Sequence, residues 1–226
     1  MKRSAVTAIP LQDKIKEHRQ CIAFHEAGHA AAIYLNNKAN NLPPVFFQII
    51  FKDIKSEKDY DVTVYQVSQG DCIAKVEGGR LIESLPPSVE GLVHKLTEHN
   101  ASMVQLVEDF MTAFETDIIN LLIGPLAEAR YMAATDNEAF NQHLISLKAL
   151  KNYGGTSDLA LANEYLQSLS ACKDYQVTKL DDLFKSAFKF INDNSNWKAV
   201  TKLANYILKS NKNIISCEEV ALVLEQ

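Results

Sequence analysis

The chain has few of the residues that mark several large classes of protein. Its four cysteines lie far apart in 226 residues and form no C-x-x-C pair. This excludes a disulfide framework or a cysteine-based zinc site and predicts reduced thiols in a cytoplasmic protein. Basic residues are outnumbered, 23 Lys and Arg against 28 Asp and Glu, for a net charge of -5. Nucleic acid is therefore not an expected partner, because binding it requires an excess of basic charge to neutralise phosphates.

Glycine motifs and long apolar runs are also missing. None of the eight glycines precedes a lysine, so no phosphate-binding loop and no ATP site is predicted, and no G-x-G-x-x-G is present. The longest apolar stretches, such as residues 118–123 with the interrupting Asn120, fall short of the roughly 18–20 residues that span a bilayer. The basic start is followed by only a short apolar run, so a signal peptide is not expected.

The remaining composition is that of a globular protein, 47% hydrophobic and 23% charged. The patterning predicts an α+β fold, a mostly α-helical bundle with a small β-sheet, in a single domain over residues 1–226. Residues 1–14 are predicted as an N-terminal extension, 45–84 as a small β-rich region and 88–226 as a helical region. Strands are predicted at 45–51, 62–67, 72–76 and 80–83. Helices are predicted at 11–35, 88–99, 102–114, 116–134, 137–150, 158–169, 178–192, 197–210 and 217–224.

One motif in the first predicted helix carries chemistry. Residues 25–29 read His-Glu-Ala-Gly-His, which is H-E-x-x-H. Four residues advance a helix by about 400°, so His25 and His29 share one face and can hold one metal ion, usually Zn²⁺. Glu26 is then the expected general acid/base of peptide-bond hydrolysis. The competing interpretation is a helix with two hydrogen-bonded histidines and no metal.

A catalytic zinc needs a third protein ligand, and the spacing does not name it. Two carboxylates are candidates. Glu128 lies in an apolar helix and needs a partner there, whether a metal, an arginine or a ligating histidine. Asp158 follows a Gly-Gly pair at a predicted helix start, where aspartate is also common as a cap. The other histidines are predicted to be surface residues; they are His18, His94, His99 and His143.

Taken together, these segments resemble the peptidase domain of the FtsH-type ATP-dependent zinc metalloproteases. Residues 25–30 match that family's H-E-A-G-H-A at every position. Residues 44–50 resemble its D-P-V-x-x-x-x-I strand, 121–128 its L-L-G-G-R-x-A-E helix, and 154–162 its G-A-x-N-D-L-x-x-A segment. Residues 197–220 resemble its C-terminal stretch. The order is the same, and the likeness covers nearly the whole chain from about residue 15.

The resemblance implies a ligand set and a mode of substrate binding. In that family the aspartate of N-D-L is the third zinc ligand, which favours Asp158 and leaves Glu128 as an acid that supports a ligand or the fold. It also implies a small sheet whose edge binds extended peptide through backbone hydrogen bonds. Residues 45–51 are the candidate edge strand, with an ordinary core strand as the alternative.

The departures from the family set limits on what the resemblance implies. Ile123 and Pro125 replace the family's Gly and Arg, Ser157 replaces the Asn before the aspartate, and Asn163 replaces a Thr. The family's membrane helices and ATPase domain have no counterpart in this sequence. The expected function is a cytoplasmic, ATP-independent zinc metallopeptidase acting on peptides or unfolded protein, with a homo-oligomer or a separate partner ATPase left open. The alternative is a degenerate metal-binding or peptide-binding module without turnover.

Overall fold

A computed structural model describes residues 11–51, 74–89, 91 and 103–226 of the chain. The described part is mostly helical with one small antiparallel sheet, which confirms the predicted α+β class. The elements are helices α1 (Leu11–Ala39), α2 (Met103–Thr135), α3 (Thr156–Leu169), α4 (Lys173–Asn192), α5 (Asn194–Lys209) and α6 (Cys217–Glu225), a 3-10 helix (Leu147–Tyr153), and strands β1 (Phe47–Phe51), β2 (Ala74–Gly78) and β3 (Ile214–Ser216).

Helix α1 runs through the middle of the fold and carries the H-E-x-x-H motif. Its buried face is built from small residues, with Ala27, Ala30 and Ala31 fully buried. Because these side chains are short, α2 can approach α1 closely. The helix begins inside the predicted N-terminal extension and continues past the predicted end at residue 35. The helix therefore includes Asn36 and Asn37, which were predicted to end it. The Asn36 side-chain amide donates a hydrogen bond to the Asn120 side chain of α2, and this contact stabilises the last turns of α1.

Helix α2 is one continuous element where two helices were predicted. No glycine or proline separates the predicted segments 102–114 and 116–134, so the helical backbone runs through Glu115 and Thr116. By length and composition α2 could cross a membrane, since an 18-residue window within it has a mean hydropathy of 1.2. However, 67% of that window is buried inside the protein. A core helix that packs on both sides has the same composition.

The sheet has the order β2-β1-β3, so β1 is its central strand. Ile49 pairs with Val76 on one side and Ile215 on the other, both antiparallel. Of the two interpretations of residues 45–51, the edge strand is therefore wrong and the ordinary core strand is confirmed. The edges within the described part of the chain are β2 and the three-residue β3, which was too short to be recognised and lies in the region predicted as helical.

Two predicted elements do not form, for reasons visible in local hydrogen bonds. Residues 80–83 are not a strand, because the backbone N–H groups of Leu81 and Ile82 donate to the Asp117 carboxylate instead of a neighbouring strand. Residues 137–150 are not a helix: Asn137 adopts a positive φ of 57°, and the Asn141 side chain accepts from backbone N–H groups two and three residues on. Only the last four residues of that segment join the 3-10 helix.

The remaining helices form close to their predicted positions. Each of the helices α3 to α6 ends within one residue of its predicted end. Their first residues lie at the predicted starts or up to five residues before them. The strand predicted at 72–76 corresponds to β2, although residues 72 and 73 lie outside the described part. The strand predicted at 62–67 and most of the helix predicted at 88–99 also lie outside it.

Candidate metal centre

Three side chains from two helices converge at the centre of the fold. His25 and His29 project from α1, and Asp158 projects from the first turn of α3. The two Nε2 atoms are 3.1 Å apart, and the Asp158 oxygens lie 3.5 Å from His25 Nε2 and 3.4 Å from His29 Nε2. These three residues form a group that can hold a metal ion. All three side chains are largely buried, between 10% and 13% exposed.

Hydrogen bonds on the far side of each imidazole fix which nitrogen faces the centre. His29 Nδ1 lies 3.0 Å from the backbone carbonyl oxygen of Asn120. A carbonyl can only accept, so Nδ1 carries the hydrogen and Nε2 presents its lone pair. His25 Nδ1 lies 3.0 Å from a Glu128 carboxylate oxygen, which fixes the same tautomer. Two nitrogen lone pairs and a carboxylate therefore face one point.

This donor set fits a tetrahedral metal ion. In a tetrahedron with bonds of about 2.0–2.1 Å, neighbouring ligand atoms are about 3.3 Å apart. The separation of 3.1 Å between the two Nε2 atoms is close to that value, and so are the separations of 3.5 Å between Asp158 Oδ2 and His25 and of 3.4 Å between Asp158 Oδ1 and His29. In addition, Asp158 Oδ2 is buried and makes no hydrogen bond to any described group. Two imidazole nitrogens and a carboxylate that face one point carry excess negative charge, which a metal ion or a proton on an imidazole balances.

The pKa shifts reflect the same need for positive charge. Burial favours neutral His25, but the contacts with the Asp158 and Glu128 carboxylates outweigh it and raise the pKa of His25 well above its usual value. Burial would raise the pKa of Asp158, yet the charge of His29 and the contacts with both histidines lower it. A proton on His25 thus balances the charge that a metal ion would otherwise balance.

Glu26 lies next to His25, His29 and Asp158, but its carboxylate bonds to the backbone of β2. Its side chain is 5% exposed, and Oε2 accepts a hydrogen bond of 2.6 Å from the backbone N–H of Val76 in β2. Burial raises the pKa of Glu26, against the opposing charges of His25 and His29. The carboxylate is held between the motif helix and the strand that borders the site.

Two glycines allow the close approaches that the centre requires. A Cβ on Gly124 of α2 would lie 2.6 Å from Cδ2 of His29 and still closer to Nε2 and Cε1. Gly154 has a φ of 71°, and a Cβ there would lie 3.0 Å from the His25 ring. The left-handed turn at Gly154 is what brings the chain from the 3-10 helix past His25 to Asp158.

The structure also locates the residues that depart from the family pattern. A Cβ on Gly155 would meet Pro125, so Pro125 packs against the turn that precedes Asp158. Ile123 is fully buried, and Ser157 is exposed in the first turn of α3. With these residues in place, His25, His29 and Asp158 lie together.

The predicted site residues are thus brought together, with Glu128 in a supporting place. Glu128 contacts His25 on the Nδ1 side, away from the converging Nε2 atoms. His18 and His143 are exposed, as predicted, whereas His94 and His99 lie outside the described residues. Sequence reasoning missed Asn120, whose carbonyl orients His29. The signal for it was present, since a polar residue interrupts the apolar run at 118–123.

Comparison with protein-family models and with curated proteins gives no match to this chain.

Proposed function

We propose that the protein is a zinc-dependent metallopeptidase that hydrolyses peptide bonds. The observation that carries the proposal is the convergence of His25 Nε2 and His29 Nε2, 3.1 Å apart, on the Asp158 carboxylate, with Oδ2 3.5 Å from His25, Oδ1 3.4 Å from His29 and a buried glutamate beside them. Nitrogen and carboxylate ligands in tetrahedral arrangement favour zinc, and three protein ligands leave a fourth position open. Resemblance of the motif segments to the FtsH-type peptidase domain supports the same choice.

Within this proposal His25, His29 and Asp158 hold the metal, and Glu128 orients His25. A bound zinc ion supplies Lewis-acid chemistry, which lowers the pKa of water and polarises a carbonyl. Glu26 accepts a proton from the attacking water while the new C–O bond forms at the peptide carbon. It donates that proton to the amide nitrogen as the C–N bond breaks, so the amine leaves neutral. The Val76 N–H keeps the carboxylate in place during both transfers.

We expect the substrate to bind along β2, because β2 lies at an edge of the described sheet and β1, which contains most of residues 45–51, lies in its centre. Val76 and Gly78 of β2 line a cleft together with His29 and Asp158. Val76 N–H points away from β1, because it donates to Glu26 and not to the sheet. An extended peptide beside β2 would therefore lie next to the metal ligands and Glu26. Backbone pairing of this kind binds unfolded chains with little dependence on side chains.

The test is cleavage of casein by the purified, zinc-loaded chain and by its Glu26→Gln variant. We expect about one zinc per chain in both proteins, and a loss of about 10²–10⁴-fold in kcat in the variant, because only the proton transfer is removed. Glu138→Gln is the matched control, since Glu138 is an exposed glutamate outside β2 and outside the cleft and should leave turnover unchanged.

Two outcomes would contradict the proposal. The absence of bound metal would remove the proposed chemistry, and equal turnover in Glu26→Gln and the parent would remove the role of Glu26. Zinc binding and casein binding without any cleavage would instead favour the alternative, a peptide-binding module without turnover.

A further inference from the structure

Pro125 lies inside helix α2, at the level of the metal centre. Proline has no backbone N–H, so the carbonyl of Leu121, one turn earlier, lacks the donor that an uninterrupted helix would give it. In a regular helix the proline ring also collides with that carbonyl, so this turn of α2 has to open. Proline is the least favourable residue in a helix interior, and the contacts around Pro125 have to offset its effect.

Helix α1 packs on this same turn of α2 through the H-E-x-x-H motif. His29 Nδ1 lies 3.0 Å from the backbone oxygen of Asn120. A Cβ on Gly28 would lie 3.1 Å from Cα of Gly124, and a Cβ on Gly124 would overlap the His29 ring. The backbone of this turn is therefore the surface that fixes His29, and Pro125 is the residue that follows it.

The ring of Pro125 also contacts the turn that precedes the third candidate ligand. A Cβ on Gly155 would lie 2.8 Å from Cβ of Pro125 and 2.9 Å from its Cγ. Gly155 is the N-cap of α3, and Asp158 lies in the first turn of that helix. A change in the shape or position of Pro125 would therefore move the start of α3, and Asp158 with it.

We propose that Pro125 is a positioning residue of the metal centre. It keeps the turn of α2 open where the Asn120 carbonyl meets His29, and its ring supports the turn before Asp158. Both ligands are thereby held at the spacing of one metal ion, which tolerates errors of only about 0.2 Å. The inference rests on the proposed zinc site, and it gives a role to a residue that departs from the FtsH-type pattern.

The test compares the Pro125→Ala variant with the parent chain. Alanine restores an N–H for the Leu121 carbonyl, so the turn of α2 can close, and it removes the ring atom Cγ that lies next to Gly155. We expect zinc affinity, measured by competition titration on the folded proteins, to fall about 10–100-fold, as it does when groups that orient metal ligands are changed.

Thr112→Ala is the matched control for a change in helix propensity. Thr112 is exposed in the same helix, and its hydroxyl donates to the backbone carbonyl of Glu108 one turn earlier. Alanine favours the helix at this position as well, without a change at the metal centre. Zinc affinity of this variant should equal that of the parent chain.

Gly155→Ala changes the same contact from the α3 side, and it keeps the test open if Pro125→Ala does not fold. Its Cβ would overlap the ring of Pro125 and the backbone oxygen of Leu150, so the turn before Asp158 has to move. We expect a similar loss of zinc affinity in this variant.

Two spectroscopic measurements separate positioning from a general effect on the fold. Visible absorption of the cobalt(II) form reports the geometry of the ligands, and we expect the spectrum of Pro125→Ala to differ from that of the parent. Long-range ¹H–¹⁵N spectra report the Nδ1–H of His29, which we expect to exchange faster with solvent in Pro125→Ala because its bond to Asn120 is weakened.

Equal zinc affinity in Pro125→Ala and the parent would overturn the inference, and so would a lower affinity with unchanged cobalt and His29 spectra. None of these measurements uses cleavage. A parent chain that binds zinc but cleaves no peptide would therefore contradict the peptidase proposal alone, and Pro125 would keep its role if the affinity and the spectra change as expected.

Discussion

Replacement of Gly124 by alanine separates the effect of helix propensity from that of tertiary contact. In an isolated helix this change stabilises by about 1 kcal/mol, because glycine has more backbone freedom to lose. In this protein the new Cβ would lie 2.6 Å from His29 Cδ2 and closer to two other ring atoms. Ordinary carbon contacts are about 3.5–4.0 Å, so the ring has to move by about 1 Å.

The magnitude of the effect follows from that displacement. Metal ligands tolerate errors of about 0.2 Å, so a shift of about 1 Å removes His29 from the ligand set. Overpacking costs about 1–3 kcal/mol, and loss of the His29–Asn120 hydrogen bond costs about 1 kcal/mol more. After the gain in propensity is subtracted, we expect the free energy of unfolding to fall by about 1–3 kcal/mol and zinc affinity to fall at least about 100-fold.

The assay is urea unfolding in the presence of a chelator, followed by zinc titration of the folded variant. Gly91→Ala serves as the control, because among the described residues its Cβ would meet the Ser88 side chain alone, with Oγ at 3.2 Å. A Gly124→Ala protein that is more stable than the parent and binds zinc equally well would refute the close approach of α2 to His29, and with it the geometry of the centre.

Two further predictions concern the metal. Glu128→Gln keeps an acceptor for His25 Nδ1 but removes its charge, so zinc affinity should fall about tenfold in a competition titration; affinity equal to that of the parent would contradict the supporting role of Glu128. Free zinc at 100 times its Kd should raise the free energy of unfolding by about 2.7 kcal/mol, and Asp158→Ala should abolish this increase. Urea unfolding with zinc and with a chelator measures both, and an equal increase in the two proteins would rule out Asp158 as a ligand.

The helical part of the fold was readable from the sequence because its patterns are long. A helix of 29 residues with small residues on one face, or the heptad-like apolar spacing of α5, leaves few alternatives. Short elements were harder to predict from the sequence. Strand β3 has three residues, and the segment at 80–83 has a strand-like composition but gives its N–H groups to Asp117. Nothing in the local pattern reveals a partner 35 residues away.

The position of the sheet edge could not be predicted for a similar reason. Residues 47–51 are a run of aromatic and β-branched residues around Gln48, which suits either a central or an edge strand. Which of the two it becomes depends on β3, which approaches from more than 160 residues further along the chain. Only the pairing of Ile49 with both Val76 and Ile215 decided the matter.

By itself, the sequence determined the chemistry available at one helix face, because four residues of α-helix always place His25 and His29 side by side with Glu26 adjacent. It left open whether Glu128 or Asp158 completes the set, since both are acids in helices that could pack near the motif. The tertiary structure brings Asp158 and not Glu128 to the Nε2 atoms, because the left-handed turn at Gly154 carries Asp158 there while Glu128 contacts His25 at Nδ1. It also made Asn120, an interruption in an apolar run, the residue whose carbonyl accepts from His29 and whose side-chain oxygen accepts from Asn36, because both contacts depend on how α2 packs against α1.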